Sequence, residues 1–219
     1  MLIAGLDEAG RGAVVGPMFI CGVSIEENKI GKLKELGVKD SKLLSPWKRQ
    51  ELYPKIKKLV KYHLIKITAQ EIDMLRSVSN LNRLEARKFA EIIDKLNPNK
   101  VIVDAPEVNL RKYEGMIRKY LKNKEVELVV ENYADKKYTI VGAASIIAKV
   151  NRDKSIKELE QKLGKKIGRG YSGDPITIKF LKELIREGKL PEYIRKSWIT
   201  TKEILSKKEQ KNLVFFLNK

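Results

Sequence analysis

The stretch LIAGLDEAGRG, residues 2–12, combines a short apolar run, two adjacent acids and an arginine between two glycines. The apolar run predicts a buried strand that ends at Asp7 and Glu8. The glycines predict a tight turn, which lets the backbone approach a ligand closely. A second strand is expected over residues 13–25, so the two strands should form an antiparallel hairpin at the start of a sheet.

Beyond this hairpin, strand patterns alternate with helical patterns. The predicted strands are 62–68, 100–104 and 126–132. The predicted helices are one that begins at Pro46 and is interrupted or divided by Pro54, and others over 80–96, 110–121, 135–163, 176–188 and 198–209. This alternation is typical of parallel strand pairs. It predicts a mixed five-stranded α/β domain over residues 1–175 and a C-terminal helical extension over residues 176–219.

The composition narrows the class of function. Lys and Arg number 46 and Asp and Glu number 28, so the net charge is +18. Such an excess favours a polyanionic partner, most often nucleic acid, although abundant Lys and Glu also fit the ion-pair-rich surface of a thermophilic protein. The single cysteine, Cys21, and the single histidine, His63, exclude intrachain disulfides, cysteine-rich zinc sites and histidine-dependent triads. Catalysis must therefore use carboxylates, lysines, tyrosines or metal ions.

The sequence also predicts where the protein works. The longest apolar-rich run, residues 14–25, is too short to cross a bilayer. The N-terminus lacks the basic segment of a secretion signal. With one cysteine, a reducing cytoplasmic location is the simplest expectation.

Predicted strands end in aspartate at three places. Asp7 and Asp104 finish their strands, and Asp135 follows a third strand closely. If these strands are neighbours, the acids meet at one edge of the sheet with Glu8 as a fourth, and protons or cations must neutralise them. Oxygen ligands select Mg²⁺ or Mn²⁺, and two such ions suit in-line phosphoryl displacement. The alternative for any one of these acids is a cap or a turn residue, and Asp135 alone fits a helix N-cap.

The adjacency of Asp7 and Glu8 raises a geometric problem. Adjacent strand residues face opposite sides of a sheet, so both side chains face one ion only if the strand ends or bulges between them. Otherwise Glu8 contributes its backbone carbonyl or orients a water. The sequence leaves this choice open.

Six ordered motifs make the chain resemble ribonuclease HII, the type 2 ribonuclease H, and the RKSW segment at 195–198 resembles its archaeal branch. The motifs are DEAGRG (7–12), DSK (40–42), NLNRLE (80–85), VDAP (103–106), ADKKYTIVGAASIIAKVNRD (134–153) and GRGYSGDP (168–175). The resemblance implies an RNase H-like fold. It implies an endonuclease that cleaves the RNA strand of RNA–DNA hybrids and incises at single ribonucleotides in duplex DNA, by two-metal-ion hydrolysis that leaves a 5′-phosphate and a 3′-hydroxyl.

The same resemblance assigns roles to individual residues. The implied catalytic and metal-binding acids are Asp7, Glu8, Asp104 and Asp135. The implied substrate-binding residues are Gly10, Arg11, Gly12 and Tyr171. Lys42 is expected to contact a phosphate, and the alternative for it is a solvated basic loop. The glycine-rich turn would meet the minor groove, where the 2′-hydroxyl distinguishes ribose from deoxyribose, and Tyr171 would stack on the sugar after the ribonucleotide. Residues 169–175 read RGYSGDP, which departs from the SGYPSDP that is frequent in the family.

Two other functions remain open at this point. One is another carboxylate-dependent nuclease or strand-transferase on the same fold. The other is a non-catalytic, basic nucleic-acid-binding protein, against which four intact acids argue.

The C-terminal residues 210–217 read QKNLVFFL and are unusually apolar for a chain end. Gln210, Leu213, Phe216 and Leu217 resemble the PIP box, the peptide that binds the sliding clamp PCNA. The resemblance implies a clamp partner, and the alternative is a tail that packs on its own domain.

Overall fold

The computed structural model describes residues 1–38 and 44–217, and only the backbone of those after 210. In this part of the chain, five strands form one sheet. The strands are β1 (Leu2–Ala9), β2 (Met18–Glu26), β3 (Lys61–Ile67), β4 (Lys100–Asp104) and β5 (Glu127–Glu131). The helices are a 3₁₀ helix (Glu27–Lys29), α1 (Ile30–Glu35), α2 (Pro46–Leu59), α3 (Ala69–Val78), α4 (Leu81–Leu96), α5 (Leu110–Tyr120), α6 (Ala134–Lys137), α7 (Thr139–Leu163), α8 (Pro175–Arg186) and α9 (Ile199–Leu217).

The sheet has the strand order β3-β2-β1-β4-β5, with β1 at its centre. β1 pairs with β2 in an antiparallel manner and with β4 in parallel, and β4 is parallel to β5. Leu6 lies opposite Val103 in the parallel pair, so the carboxyl ends of β1 and β4 are neighbours. The predicted mixed five-stranded sheet and its opening antiparallel hairpin are therefore confirmed.

The described residues group into two compact units. The first comprises Met1–Ala9, Phe19–Lys66 and Ser79–Arg152. Within it α7 approaches β1 closely, because a Cβ at Gly5 would lie 2.6 Å from the backbone carbon of Ile140 and from the backbone nitrogen of Val141. Ala143 and Ala144 of the same helix are fully buried, and their small side chains permit this close approach.

The second unit comprises Gly10–Met18, Ile67–Val78 and the chain from Asp153 onward. Its core is formed by apolar residues that are discontinuous in sequence, among them Val14, Ile156, Phe180 and Ile194. The sequence-based division into residues 1–175 and 176–219 remains a prediction about where the catalytic domain ends.

Two predicted boundaries were wrong. The second strand begins at Met18 rather than at residue 13, because Ala13 and Val15 form isolated bridges with Tyr171 and Ile194 instead of pairing with β1. The helical pattern over residues 135–163 forms two helices, since Tyr138 adopts an extended conformation (φ −116°, ψ 116°) between α6 and α7.

Two further helices differ from the prediction. Pro54 does not interrupt α2, and the burial of Leu52 and Ile56 on either side anchors the helix across it. α3 was not predicted at all. It begins with a capping box in which Thr68 donates from its backbone nitrogen and its hydroxyl to Glu71 Oε2 (2.7 and 2.8 Å), and the Glu71 N–H returns a bond to the Thr68 hydroxyl (3.2 Å).

Membrane insertion by a helix has no support in residues 1–38 and 44–217, where no helix has both the length and the apolar character that a bilayer span needs.

Candidate active site

Three of the predicted acids meet in the first unit. Carboxylate oxygens of Asp7, Asp104 and Asp135, hereafter the acidic cluster, all lie within 4.8 Å of one another. Asp7 is on β1 and Asp104 ends β4, so the parallel pairing of these strands brings the two to the same edge of the sheet. Asp104 Oδ1 also accepts the backbone N–H of Ala134 at 2.7 Å, which holds the start of α6, and Asp135 within it, beside the end of β4.

The loops that carry these acids are fixed by backbone hydrogen bonds. The Ala105 N–H donates to the Glu131 carbonyl at 2.9 Å, which extends the β4–β5 pairing past Asp104. The Asn132 side-chain amide donates to the carbonyl of Ala105 at 2.8 Å. Tyr133 then takes a left-handed conformation (φ 57°, ψ 32°) immediately before α6. The acidic cluster therefore rests on a constrained scaffold.

The acidic cluster places like charges close together, with Asp7 and Asp135 buried and Asp104 half-buried. Burial raises the pKa of Asp7 well above its ordinary value, and the charges of Glu8 and Asp104 raise it further. A hydrogen bond from Ser145 and the charge of Lys149 act in the opposite direction. An all-oxygen donor set with surplus negative charge fits a hard divalent cation, which would relieve the repulsion that these carboxylates experience.

Sequence analysis gave no role to Ser145 and Lys149, two residues of α7 beside the acids. The Lys149 ammonium lies 4.0 Å from Asp135 Oδ2 and donates to the Ser145 hydroxyl at 2.9 Å. The available signal was their spacing of four residues within ASIIAK (144–149), which places both on one face of a helix.

Glu8 is not one of the three acids that the structure brings together. β1 continues with regular pairing through Glu8, opposite Ile20, and Ala9, opposite Phe19. The strand therefore neither ends nor bulges between Asp7 and Glu8, and the two side chains leave opposite faces. The Glu8 N–H donates to Asp7 Oδ1 at 2.7 Å. A direct metal-binding role for the Glu8 side chain remains a prediction.

The predicted substrate-binding turn, Gly10-Arg11-Gly12, lies in the second unit together with Tyr171. Ala13, directly after the turn, forms an antiparallel bridge with Tyr171. The backbone N–H groups of Val14 and Val15 both donate to the Gly170 carbonyl, at 2.8 and 3.1 Å. The structure thus brings the turn and Tyr171 together, and 36% of Tyr171 is exposed.

The loop that carries Tyr171 is well anchored despite its unusual sequence. Asp174 accepts hydrogen bonds from the backbone of Arg169 (2.5 Å) and Ile176 (3.1 Å) and from the Thr177 hydroxyl (3.3 Å). The hydrogen bond from the Arg169 N–H is the main reason why the pKa of Asp174 is lowered. Gly168 has φ 77°, which explains the glycine there.

Two predicted sites fall wholly or partly outside what the structure describes. Lys42 lies outside the described residues. Gln210 is exposed on α9, whereas the side chains of Leu213, Phe216 and Leu217 lie outside the described part.

Comparisons with known proteins place this fold and site in context. The family model for Ribonuclease HII matches residues 4–201. Ribonuclease HII of the archaeon Methanothrix thermoacetophila is 44% identical over 206 residues, which cover 93% of this chain and 97% of that protein. The crystal structure of ribonuclease H2 from Pyrococcus horikoshii OT3 superposes with a TM-score of 0.86 at 40% identity, covering 94% of this chain and 98% of that one.

A further solved structure shows a relative in a complex. It is the PCNA:RNase HII complex from Archaeoglobus fulgidus, similar to this chain with a TM-score of 0.84 at 37% identity, covering 90% of this chain and 95% of that one.

These matches define the class of protein: the fold is RNase H-like and the protein is an enzyme, a ribonuclease H. The chain belongs to the ribonuclease HII family. The predicted family, its archaeal branch and the predicted fold are confirmed.

Proposed function

We propose that this enzyme cleaves the RNA strand of RNA–DNA hybrids and incises at single ribonucleotides embedded in duplex DNA. The observation that carries the proposal is the convergence of Asp7, Asp104 and Asp135 within 4.8 Å in a chain of the ribonuclease HII family. The net charge of +18 supplies affinity for the phosphate backbone. The free, buried Cys21 supports the expected cytoplasmic location.

The acidic cluster would hold two divalent ions, Mg²⁺ or Mn²⁺, and Glu8 would contribute its backbone carbonyl or orient a water, since its side chain leaves the opposite face of β1. The donor atoms of the acidic cluster are all carboxylate oxygens, which these ions prefer. Such ions would supply activation of a water for in-line attack and stabilisation of the departing oxygen, in a cleavage that would leave a 5′-phosphate and a 3′-hydroxyl. Asp104 is oriented in advance by the Ala134 N–H, and Lys149 partly balances the charge of Asp135 at 4.0 Å.

The Gly-Arg-Gly turn and Tyr171 would recognise the ribonucleotide. A Cβ at Gly12 would meet no atom within 4 Å, and Gly12 does not have the left-handed φ that Gly10 has. Neither packing nor backbone conformation requires this glycine, which supports a role in letting a ligand approach. The partly exposed Tyr171 ring is available for stacking on a sugar, and Lys42 is proposed to contact a phosphate.

The charge change Asp104→Asn tests the catalytic assignment without removing the structural hydrogen bond. The side-chain oxygen of asparagine can still accept the Ala134 N–H, so the variant should fold and bind substrate. A duplex with one ribonucleotide, incubated with Mg²⁺, should be cut by the wild type and left uncut by Asp104→Asn. The matched control is Glu35→Gln, which removes an exposed acid of α1 in the same unit and should cut normally. Near-normal cutting by Asp104→Asn would refute the assignment.

We also propose that residues 210–217 bind the sliding clamp, through Gln210, Leu213, Phe216 and Leu217. The support is the PIP-box resemblance and the complex formed by the Archaeoglobus fulgidus relative. The preceding part of α9 is anchored within its own unit, since the Lys208 ammonium donates to the Ile185 carbonyl at 2.6 Å.

Deletion of residues 210–219 should therefore leave the fold intact and remove clamp binding. Calorimetry with PCNA would measure binding, and cleavage of a short duplex would measure activity, which should persist. Undiminished clamp binding, or a fall in melting temperature that shows the tail to be part of the core, would overturn this proposal.

A further inference from the structure

Arg195 is the largest of the fully buried side chains among the described residues. Arginine is almost never fully buried unless its N–H groups are occupied. It belongs to the RKSW segment, to which sequence analysis gave no function, and to the second compact unit.

The guanidinium of Arg195 binds three backbone carbonyls of one short segment. Nη2 donates to the Gly10 carbonyl at 2.6 Å, and Nη1 donates to the Arg11 carbonyl at 2.6 Å. Nε donates to the Gly16 carbonyl at 3.2 Å. The Arg195 backbone N–H adds a fourth bond, to the Val14 carbonyl at 2.9 Å. One residue therefore holds both ends of the segment that contains the Gly-Arg-Gly turn.

These contacts determine which way the peptide groups of the turn face. A trans peptide is planar, and its N–H points opposite to its C=O; no cis peptide occurs in the described residues. Because the carbonyls of Gly10 and Arg11 point at the guanidinium, the N–H groups of Arg11 and Gly12 must point away from it. The turn thus presents two N–H donors on the face opposite Arg195, with open space at Gly12.

The charge of Arg195 reinforces this arrangement. The negative ends of the peptide dipoles are directed at a buried cation, and their positive ends are directed outward. Successive outward N–H groups form a surface that attracts oxygen atoms with negative charge or free lone pairs. A ribose 2′-hydroxyl and the phosphate beside it carry such oxygens.

We infer that Arg195 is a positioning residue for ribonucleotide recognition: it orients the peptide groups of the Gly-Arg-Gly turn so that their N–H groups can bind the substrate. This inference rests on the proposed role of that turn. Arg195 itself is fully buried and would act on the substrate only through the turn.

The surroundings of Arg195 hold it in place. The Thr201 hydroxyl donates to its carbonyl at 2.9 Å, and the Trp198 ring lies 4.7 Å from its guanidinium carbon. Asp73, on the unpredicted helix α3, accepts from the backbone N–H of Lys196 (2.7 Å) and from the backbone and hydroxyl of Ser197 (3.0 and 2.6 Å). Helix α3 therefore helps to fix the segment that carries Arg195.

Lysine cannot reproduce these contacts, because a compact ammonium does not match three carbonyls that are spaced for a planar fork. The variant Arg195→Lys keeps the positive charge and removes the geometry. Thr201→Val is the matched control, since it removes a buried hydrogen bond to the same residue and leaves the guanidinium contacts unchanged. Both variants should lose some thermal stability.

The test measures binding of two DNA duplexes that differ only in one ribonucleotide. Fluorescence anisotropy in EDTA gives both affinities without cleavage. The wild type and Thr201→Val should prefer the ribonucleotide duplex. Arg195→Lys should lose that preference by about tenfold or more, as expected when a hydrogen bond to the ribonucleotide is lost. Its affinity for the all-DNA duplex should stay within about twofold, because charge dominates that affinity.

Several results would overturn the inference. A folded Arg195→Lys with the wild-type preference would refute it, and so would an equal loss of affinity for both duplexes, which indicates a merely structural role. If Arg195→Lys does not fold, Asp73→Ala replaces it, and an unchanged preference in that variant would refute the inference. If the wild-type protein does not prefer the ribonucleotide duplex, the proposed function of the turn itself is refuted. If the wild type has the preference and Arg195→Lys keeps it, only the role of Arg195 is refuted.

Discussion

Replacing Asp7 by asparagine should stabilise the metal-free protein even though it removes a catalytic acid. Asp7 is 4% exposed, and burial and the charges of Glu8 and Asp104 raise its pKa well above the ordinary value. Asparagine has almost the same shape, and its side-chain oxygen can still accept the Glu8 N–H that now donates to Asp7 at 2.7 Å. The substitution therefore removes repulsion and desolvation and preserves this hydrogen bond, while it weakens the smaller favourable contributions of Ser145 and Lys149.

The size of the effect follows from the geometry of the acidic cluster. Two unit charges no more than 4.8 Å apart repel by about 3 kcal/mol or more at an effective dielectric constant of about 20. The raised pKa of Asp7 favours its neutral form, which experiences less of this repulsion. A gain of about 1–3 kcal/mol in the free energy of unfolding is therefore expected, and for a chain of this length each kcal/mol raises the melting temperature by about 2–4 °C.

Differential scanning calorimetry in EDTA near neutral pH measures this gain. Glu35→Gln is the control, because it makes the same change in net charge at an exposed acid outside the acidic cluster and should change the unfolding free energy by no more than about 0.5 kcal/mol. Adding Mg²⁺ should raise the melting temperature of the wild type more than that of Asp7→Asn. A metal-free Asp7→Asn that is less stable than the wild type would show that these acids do not repel one another.

Three other substitutions test the surrounding structure. Tyr171→Ala should slow incision at a lone ribonucleotide by more than about tenfold with the fold retained, and a normal single-turnover rate would show that Tyr171 is structural. Asp174→Ala should cost about 1–2 kcal/mol through the lost cap of α8. Because the folded pKa of Asp174 is lowered, this difference from the wild type should be full near neutral pH and should shrink as the pH falls below about 4; a constant difference in melting temperature would contradict this. Gly5→Ala should lower the free energy of unfolding in urea by about 3 kcal/mol or more, because the new Cβ meets the backbone of α7 at 2.6 Å. The control Gly115→Ala in α5, whose Cβ meets no atom within 4 Å, should be neutral or stabilising. Equal effects of the two substitutions would refute the close packing of β1 and α7.

The sheet and the acidic cluster were predictable because local patterns determine them. Apolar runs of strand length end at Asp7 and Asp104, and parallel neighbours place their carboxyl ends at one edge of a sheet. The geometric objection to Glu8 also came from a local rule, the alternation of side chains along a strand. The structure keeps that alternation, and Glu8 is absent from the three-acid cluster.

The arrangement around the Gly-Arg-Gly turn was not predictable in the same way. Arg195 binds carbonyls that lie 179 to 185 residues away in the sequence, and backbone carbonyls leave no trace in residue identity. The bridge from Ala13 to Tyr171 also joins backbone groups that lie far apart in the sequence. It explains why the strand expected from residue 13 begins at Met18. Helix α3 did have a local signal, the Thr68–Glu71 capping box, but Thr68 lies within the strand predicted over residues 62–68.

The most direct test of the central claim compares two DNA duplexes that are identical except for one 2′-hydroxyl. Wild-type protein and Mg²⁺ are incubated with each duplex, labelled on the strand that carries the ribonucleotide, and the products are resolved at single-nucleotide resolution. The account predicts a cut at the ribonucleotide that leaves a 5′-phosphate and a 3′-hydroxyl, no cut in the all-DNA duplex, and no cut in either duplex in EDTA. Equal cutting of both duplexes, or cutting that persists in EDTA, would contradict it.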